Sequence, residues 1–233
     1  GGPPSNPKVN ITALLHPDPR VRRNAELARA AAEKLHTRYR MTEGNTCYRG
    51  GKPGVSDVFA SSLRAADYML TLASLGYAGV NLHGGEGKMV ADSLGGTLPG
   101  EALMKDPHAP HPRPFYTPIA DIGSKYIAEP VSYGMKFAQR FAGATLISVD
   151  FDPGPVNATV YAARLPGGET LLAVINKDET HSLPVHLPAA PTSAETMSAA
   201  SLTSTEVRVE HTHPHGVDHI LPAHTMTVFT LNL

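Results

Sequence analysis

Arg38-Tyr39-Arg40-Met41-Thr42-Glu43-Gly44-Asn45-Thr46-Cys47-Tyr48-Arg49-Gly50-Gly51 is the stretch on which the reading of this chain turns. Tyr39 to Glu43 is predicted to be a short strand that ends on a carboxylate. It then breaks into a loop carrying Asn, Tyr and a glycine pair, closed by Gly50-Gly51-Lys52-Pro53-Gly54. A carboxylate at the C-terminal end of a strand that feeds a helix is where parallel-strand barrels hold their reactive groups.

The flanking segments fit that context. Asp18-Pro19 reads as an N-cap followed by proline at the first helical position, opening a helix to about Leu35. Val21, Ala25, Ala28, Ala32 and Leu35 are spaced to form its apolar stripe. Ser56 is expected to cap a second helix, Asp57 to about Leu75, stopped by Gly76. Tyr77 to His83 is a near-continuous apolar run, the mark of a strand covered on both faces. Helix, strand, helix, strand is the rhythm of a parallel α/β architecture. Residues 84–128 interrupt it with a Gly-, Pro- and His-rich stretch, too long for an ordinary connection in a compact domain. Glu129-Pro130 then opens a helix to about Phe141, with Tyr133, Phe137 and Phe141 on one face.

After Gly143 the pattern changes to short β-prone runs: Ala144–Asp150, Val156–Leu165, Thr170–Asn176, His181–Leu187, Thr205–His211 and His224–Leu231. Pro166-Gly167-Gly168 is a hairpin signal between two of them. The expected organisation is α/β plus all-β, with barrel-like βα units over 1–143 and a β-sandwich over 144–233.

Composition narrows the function classes. Among 233 residues, 20 basic side chains face 21 acidic ones, a balance that gives no field favouring nucleic acid or an anionic membrane. No apolar run reaches the roughly 18 residues of a membrane span. Cys47 is the only cysteine, so no intrachain disulfide forms, and a buried unreactive thiol is the plainer reading of it. The chain opens on Gly1-Gly2-Pro3-Pro4 without an initiator Met and reads as cut from something longer.

A carboxylate held at a strand end can attack an anomeric carbon to give a covalent glycosyl intermediate. The competing reading of Glu43 is a surface ion pair with Arg38 or Arg40. The nineteen residues from Thr42 to Ala60, with Glu43 ending a strand, Tyr48, the pair Gly50-Gly51 and Ser56-Asp57-Val58-Phe59-Ala60 opening a helix, resemble the nucleophile region of glycoside hydrolase family 79. That family contains the β-glucuronidases and heparanases. Looser likeness extends through Gly79-Val80-Asn81-Leu82-His83-Gly84-Gly85 and Pro130-Val131-Ser132-Tyr133-Gly134-Met135.

The resemblance implies the last two βα units of a (β/α)8 barrel followed by a β-sandwich domain. It implies a retaining β-glucuronidase that needs no cofactor and no metal, acting on a carbohydrate bearing glucuronic acid. Glu43 corresponds to the nucleophile. Tyr48 and the backbone N–H of Gly50 correspond to groups that bind the sugar's carboxylate, and Tyr116 is the candidate for a second tyrosine there. Asn45 and His83 are expected near the nucleophile, against a turn-forming Asn and a core histidine respectively. The family's acid/base Glu lies on a strand without a counterpart here. Glu86 is a poor substitute, because flexible glycines would not hold it about 5–5.5 Å from Glu43. The expectation is therefore a chain inactive alone, completed by an N-terminal segment that closes the barrel. Secretion or a periplasmic location would follow from the family only.

Three readings compete. One is an endo-acting, heparanase-like specificity, for which Arg49, Lys52, Lys88 and Lys105 are a thin basic supply. Another is a non-catalytic fragment or carbohydrate-binding module. The third is a zinc site in His211-Thr212-His213-Pro214-His215 with His219 and His224, against a solvated turn broken by Pro214 and Gly216. Asn10-Ile11-Thr12 and Asn157-Ala158-Thr159 match glycosylation acceptors.

Overall fold

The computed structural model describes residues 2–48, 50–85, 114–121 and 124–233. Helix α1 is Ile11–Leu15, and its N-cap Asn10 accepts a hydrogen bond from the Ala13 N–H. Helix α2 is Pro19–Lys34, opened as expected by Asp18, whose side chain accepts from the Arg20 N–H. Only Ala25 and Ala32 of its stripe are buried, and Leu35, expected to complete it, is 73 % exposed. Strand β1, Met41–Gly44, pairs in parallel with β2, Val80–Leu82, through Met41 opposite Val80 and Gly44 opposite Leu82. The second strand is thus shorter than its apolar run.

Helix α3, Phe59–Ser74, starts at Val58 without a side-chain cap. Ser56 is not its cap. The Ser56 hydroxyl accepts from the Lys52 N–H at 2.9 Å and from the Thr46 hydroxyl at 2.7 Å, binding the loop after β1 to itself. Phe59, Leu63, Ala66 and Leu70 are buried, but so are Ala65, Asp67 and Leu72, so α3 is packed on nearly all sides. Helix α4, Pro130–Gln139, crosses it with Gly134 directly against the Ser62 carbonyl. Part of the segment expected to be loop is a small antiparallel pair, β3 (Ile119–Asp121) with β4 (Tyr126–Ala128).

The remainder is β-structure. Strands β5 (Thr145–Ile147), β6 (Ala158–Arg164), β7 (Thr170–Asn176), β9 (Ser193–Ser198), β10 (Arg208–Thr212) and β12 (Thr225–Leu231) form one antiparallel sheet in the order β10-β9-β12-β7-β6-β5. Strands β8 (Leu183–His186) and β11 (Asp218–Leu221) form a separate two-stranded ribbon. The sequence pattern missed β9 and β11. Ser-Ala-Glu-Thr-Met-Ser carries little β-branched signal, and its strand character comes from ladders to β10 and β12 on either side.

Side-chain alternation gives the large sheet two apolar faces. Ala173, Ile175, Met197 and Val228 pack in one cluster with Phe59, Leu63 and Phe137 of the helices. Val174, Ala194 and Phe229 pack on the other face with Leu183 and Leu221 of the ribbon. The first cluster runs across the expected boundary at 143/144, so helices and sheet share one core.

One polar contact ties them as well. Lys177 Nζ, on a side chain 1 % exposed, lies 2.8 Å from Asp67 Oδ2 of α3. Asp67 Oδ1 accepts from the hydroxyls of Tyr161 at 2.6 Å and Thr159 at 2.7 Å. Burial pushes the Asp67 carboxyl pKa up, but Lys177 and these hydrogen bonds outweigh it and hold the group below its ordinary value.

Candidate active site

Glu43 is the third residue of β1, exposed, near the strand's C-terminal end. Among the described residues it makes no ion pair. Arg40, one of the expected partners, instead donates to Asn81 Oδ1 at 2.8 Å. The next residue, Gly44, lies over Tyr68, where an added Cβ would sit 2.9 Å from the ring.

The two strand ends are clamped together. The His83 N–H donates to the Gly44 carbonyl at 3.1 Å, and Asn45 Nδ2 donates to the His83 carbonyl. Asn45 Oδ1 accepts from the Thr46 N–H. The Asn45 amide therefore fixes the geometry beside Glu43 and bridges β1 to β2.

Gly50 and Gly51 have φ of 86° and 87°, a region that favours glycine. That turn brings the Gly50 N–H to the Tyr116 hydroxyl at 3.3 Å and the Gly50 carbonyl to the Phe115 N–H at 2.7 Å. A Cβ on Gly51 would lie 2.9 Å from Ser56 Cβ and 3.1 Å from the Tyr116 nitrogen. Tyr116 itself is only 3 % exposed. Its hydroxyl lies 2.9 Å from His83 Nδ1, and its ring meets the imidazole edge-on. Burial above all pushes its pKa up to about 12. The Gly50 N–H acts against that rise, and the nearby Glu43 and Cys47 add to it.

The structure thus gathers Gly50, Tyr116, His83 and Asn45 around the ends of β1 and β2. Tyr48 is 52 % exposed. The Gly50 N–H, expected to face a ligand, is engaged by Tyr116 here. Lys52 is turned to the N-terminal loop, with Nζ 2.6 Å from the Val9 carbonyl. Glu86, Arg49, Lys88 and Lys105 lie outside the described residues. Cys47 is 2 % exposed, and burial pushes its thiol pKa up, so it is a packed side chain rather than a nucleophile.

Two cavities flank the strands. One of about 1170 Å³ is lined by residues such as Tyr39, Arg40, Gly79 and Val80, at the N-terminal ends of β1 and β2. One of about 420 Å³ is lined by Asn45, Thr46 and Arg64 together with the segment around α1. Glu43 lines neither.

The histidine-rich segment does not converge. Among the described residues no group of three His, Cys, Asp or Glu side chains is placed to hold a metal ion. His213 Nδ1 donates to the Thr192 carbonyl at 2.8 Å, His211 Nδ1 lies 3.6 Å from Glu195 Oε2, and His219 packs on Phe229. No described helix is long and apolar enough to cross a membrane. Sequence reasoning also passed over Arg64, since a basic residue on a helix of mixed pattern carries no local signal of what it faces.

No family model matches the sequence, and no curated protein does. Solved structures do match the fold. A 4-O-α-L-rhamnosyl-β-D-glucuronidase from Fusarium oxysporum 12S aligns over 99 % of this chain and 51 % of its own, at TM-score 0.58 and 17 % identity. A family 51 arabinofuranosidase from Xanthomonas axonopodis pv. citri aligns over 95 % and 48 %, at TM-score 0.59 and 13 % identity. A family 30 xylanase catalytic domain from Talaromyces cellulolyticus aligns over 84 % and 41 %, at TM-score 0.55 and 15 % identity. The chain spans about half the length of the solved structures it matches. At these identities the likeness is one of fold, and that fold is shared with glycoside hydrolases.

Proposed function

We propose that this chain carries the nucleophile side of a retaining glycoside hydrolase of β-glucuronidase type, with Glu43 attacking the anomeric carbon. One observation carries the reading: Glu43 stands exposed and without an ion pair among the described residues, at the end of a parallel strand clamped to its neighbour. In this reading residues 1–143 are the last βα units of a barrel and 144–233 a β-sandwich. The acid/base carboxylate comes from barrel strands outside these 233 residues. It protonates the leaving oxygen as Glu43 bonds to the sugar, and water then releases the sugar with net retention.

The substrate class rests on the resemblance of Tyr48, Gly50 and Tyr116 to uronate-binding positions. In this reading a sugar carboxylate takes the Gly50 N–H from the Tyr116 hydroxyl that accepts it here, and a glycine lets the backbone approach closely. The fold shared with a glucuronidase supports the same class. A second reading, a non-catalytic carbohydrate-binding fragment, is favoured by the absence of Glu43 from the lining of either cavity.

Hydrolysis of p-nitrophenyl β-glucuronide separates them. No turnover is expected from these 233 residues alone, and measurable turnover once the complementary barrel segment is supplied. Glu43→Gln should then abolish it. Activity that survives Glu43→Gln rejects the nucleophile, and complemented protein that binds glucuronide without cleaving it supports the binding fragment.

A further inference from the structure

The cavity of about 420 Å³ between α1, the start of α2 and the end of β1 has an unusual balance of donors and acceptors. Its volume is in the range of small-ligand sites. Asp18 is the only carboxylate among the described lining residues, against the cations Lys8, Arg20 and Arg64. Asp18 is already engaged by Arg20, with Nη2 to Oδ2 at 2.6 Å and Nε to Oδ1 at 3.0 Å.

The lining amides have spent their acceptors. Asn6 Oδ1 takes the Lys8 N–H at 2.9 Å, Asn10 Oδ1 takes the Ala13 N–H at 2.8 Å, and Asn45 Oδ1 takes the Thr46 N–H at 2.9 Å. The NH₂ groups of Asn6 and Asn10 have no acceptor among the described residues. Arg64 is in the same position. Its guanidinium sits 4.3 Å from the centre of the Tyr68 ring and has no hydrogen-bond acceptor among the described residues. Burial lowers its pKa, and the nearest carboxylates, Asp67 and Asp18, are committed to Lys177 and Arg20. A stacked guanidinium with all its N–H groups unspent is a fork shaped for a carboxylate.

We propose that this cavity binds the carboxylate of an acidic sugar unit, with Arg64 as the principal anchor and Lys8, Asn6 and Asn10 as further donors. The choice of a sugar acid as ligand rests on the proposed function. The site itself is distinct from Glu43, although Asn45 and Thr46 carry the chain directly from one to the other.

Calorimetric titration of the 233-residue chain with glucuronic acid, and separately with glucose, tests the site without requiring catalysis. Glucuronic acid should bind and glucose should not, with affinity falling at about 0.5 M NaCl. Arg64→Met should weaken binding about tenfold or more. Lys8→Gln, at an exposed side chain away from the packed core, should weaken it by a few-fold. No binding, equal binding of glucose, or unchanged affinity in both Arg64→Met and Lys8→Gln overturns the site. Binding that holds while Glu43→Gln fails to abolish hydrolysis in the complemented enzyme would leave this site standing and reject the catalytic assignment.

Discussion

Replacing Gly134 by Ala tests the close crossing of the two helices that follow the candidate strands. Helix α3 comes after β1 in the chain and α4 after β2. At position 134 an ideal Cβ would lie 2.1 Å from the Ser62 carbonyl oxygen and 2.9 Å from Ala65 Cβ. Both obstacles belong to α3, and the nearer is backbone, so no side-chain rotation relieves the clash. Reaching the 3.4 Å at which ordinary contact begins requires the helices to part by about 1.3 Å at that point. A gap of 0.5–1 Å already forfeits about a quarter to a half of each dispersion well, and Phe59, Leu63 and Phe137 lie in the same cluster. Overpacking of this kind costs about 1–3 kcal/mol or more. The helix-forming advantage of Ala over Gly returns about 1 kcal/mol at most. The expected outcome is a net loss of about 2 kcal/mol, read as a lower urea midpoint at unchanged slope. Gly143, where an added Cβ meets nothing within 4 Å but φ is 76°, serves as a control for backbone strain alone. A Gly134→Ala variant as stable as the parent would refute the close crossing.

Two further predictions concern charge. Asp67→Ala leaves the Lys177 ammonium buried and unpaired and should destabilise by about 3–5 kcal/mol. The double change Asp67→Leu with Lys177→Met should recover much of that in the same urea melts, and a double variant no better than the single one contradicts the pairing. Asp18 has its pKa lowered to about 2, chiefly by the Arg20 side chain. Because the folded value lies below the unfolded one, its contribution is present above about pH 4 and is lost as pH falls toward 2. Most of the Arg20 side chain is exposed, so the effect should not exceed about 1 kcal/mol. Asp18→Asn should remove that part of the acid sensitivity, and acid melts that superimpose on the parent's would contradict it.

Glu43 and its surroundings were unequally legible. The strand ending on a carboxylate, the glycine pair and the following helix all announce themselves locally, through an apolar run, a turn signal and 3.6-residue spacing. Tyr116 was chosen only by resemblance, and its contacts with Gly50 and His83 span separations of 66 and 33 residues that no local pattern encodes. Ser56 looked like a helix cap because Ser-Asp before an apolar run is the usual cap signature. The loop after β1 competed for its hydroxyl and took it.

By itself the sequence determined the order of helices and strands from residue 18 to residue 83 (though not the short helix Ile11–Leu15 before them), the helix opened by Glu129-Pro130, and most strands of the antiparallel sheet, since each rests on a periodicity or a breaker within a few residues. Tertiary structure alone decided that Ser193–Ser198 is a strand, that Asp67 meets Lys177 across 110 positions, that Leu35 stays in solvent, and that Arg64 lines a cavity with no hydrogen-bond acceptor of its own among the described residues. The reason is the same in each case. Chain-local preferences fix what a segment can become, whereas pairing partners, burial and unspent hydrogen bonds depend on which distant segments arrive beside it.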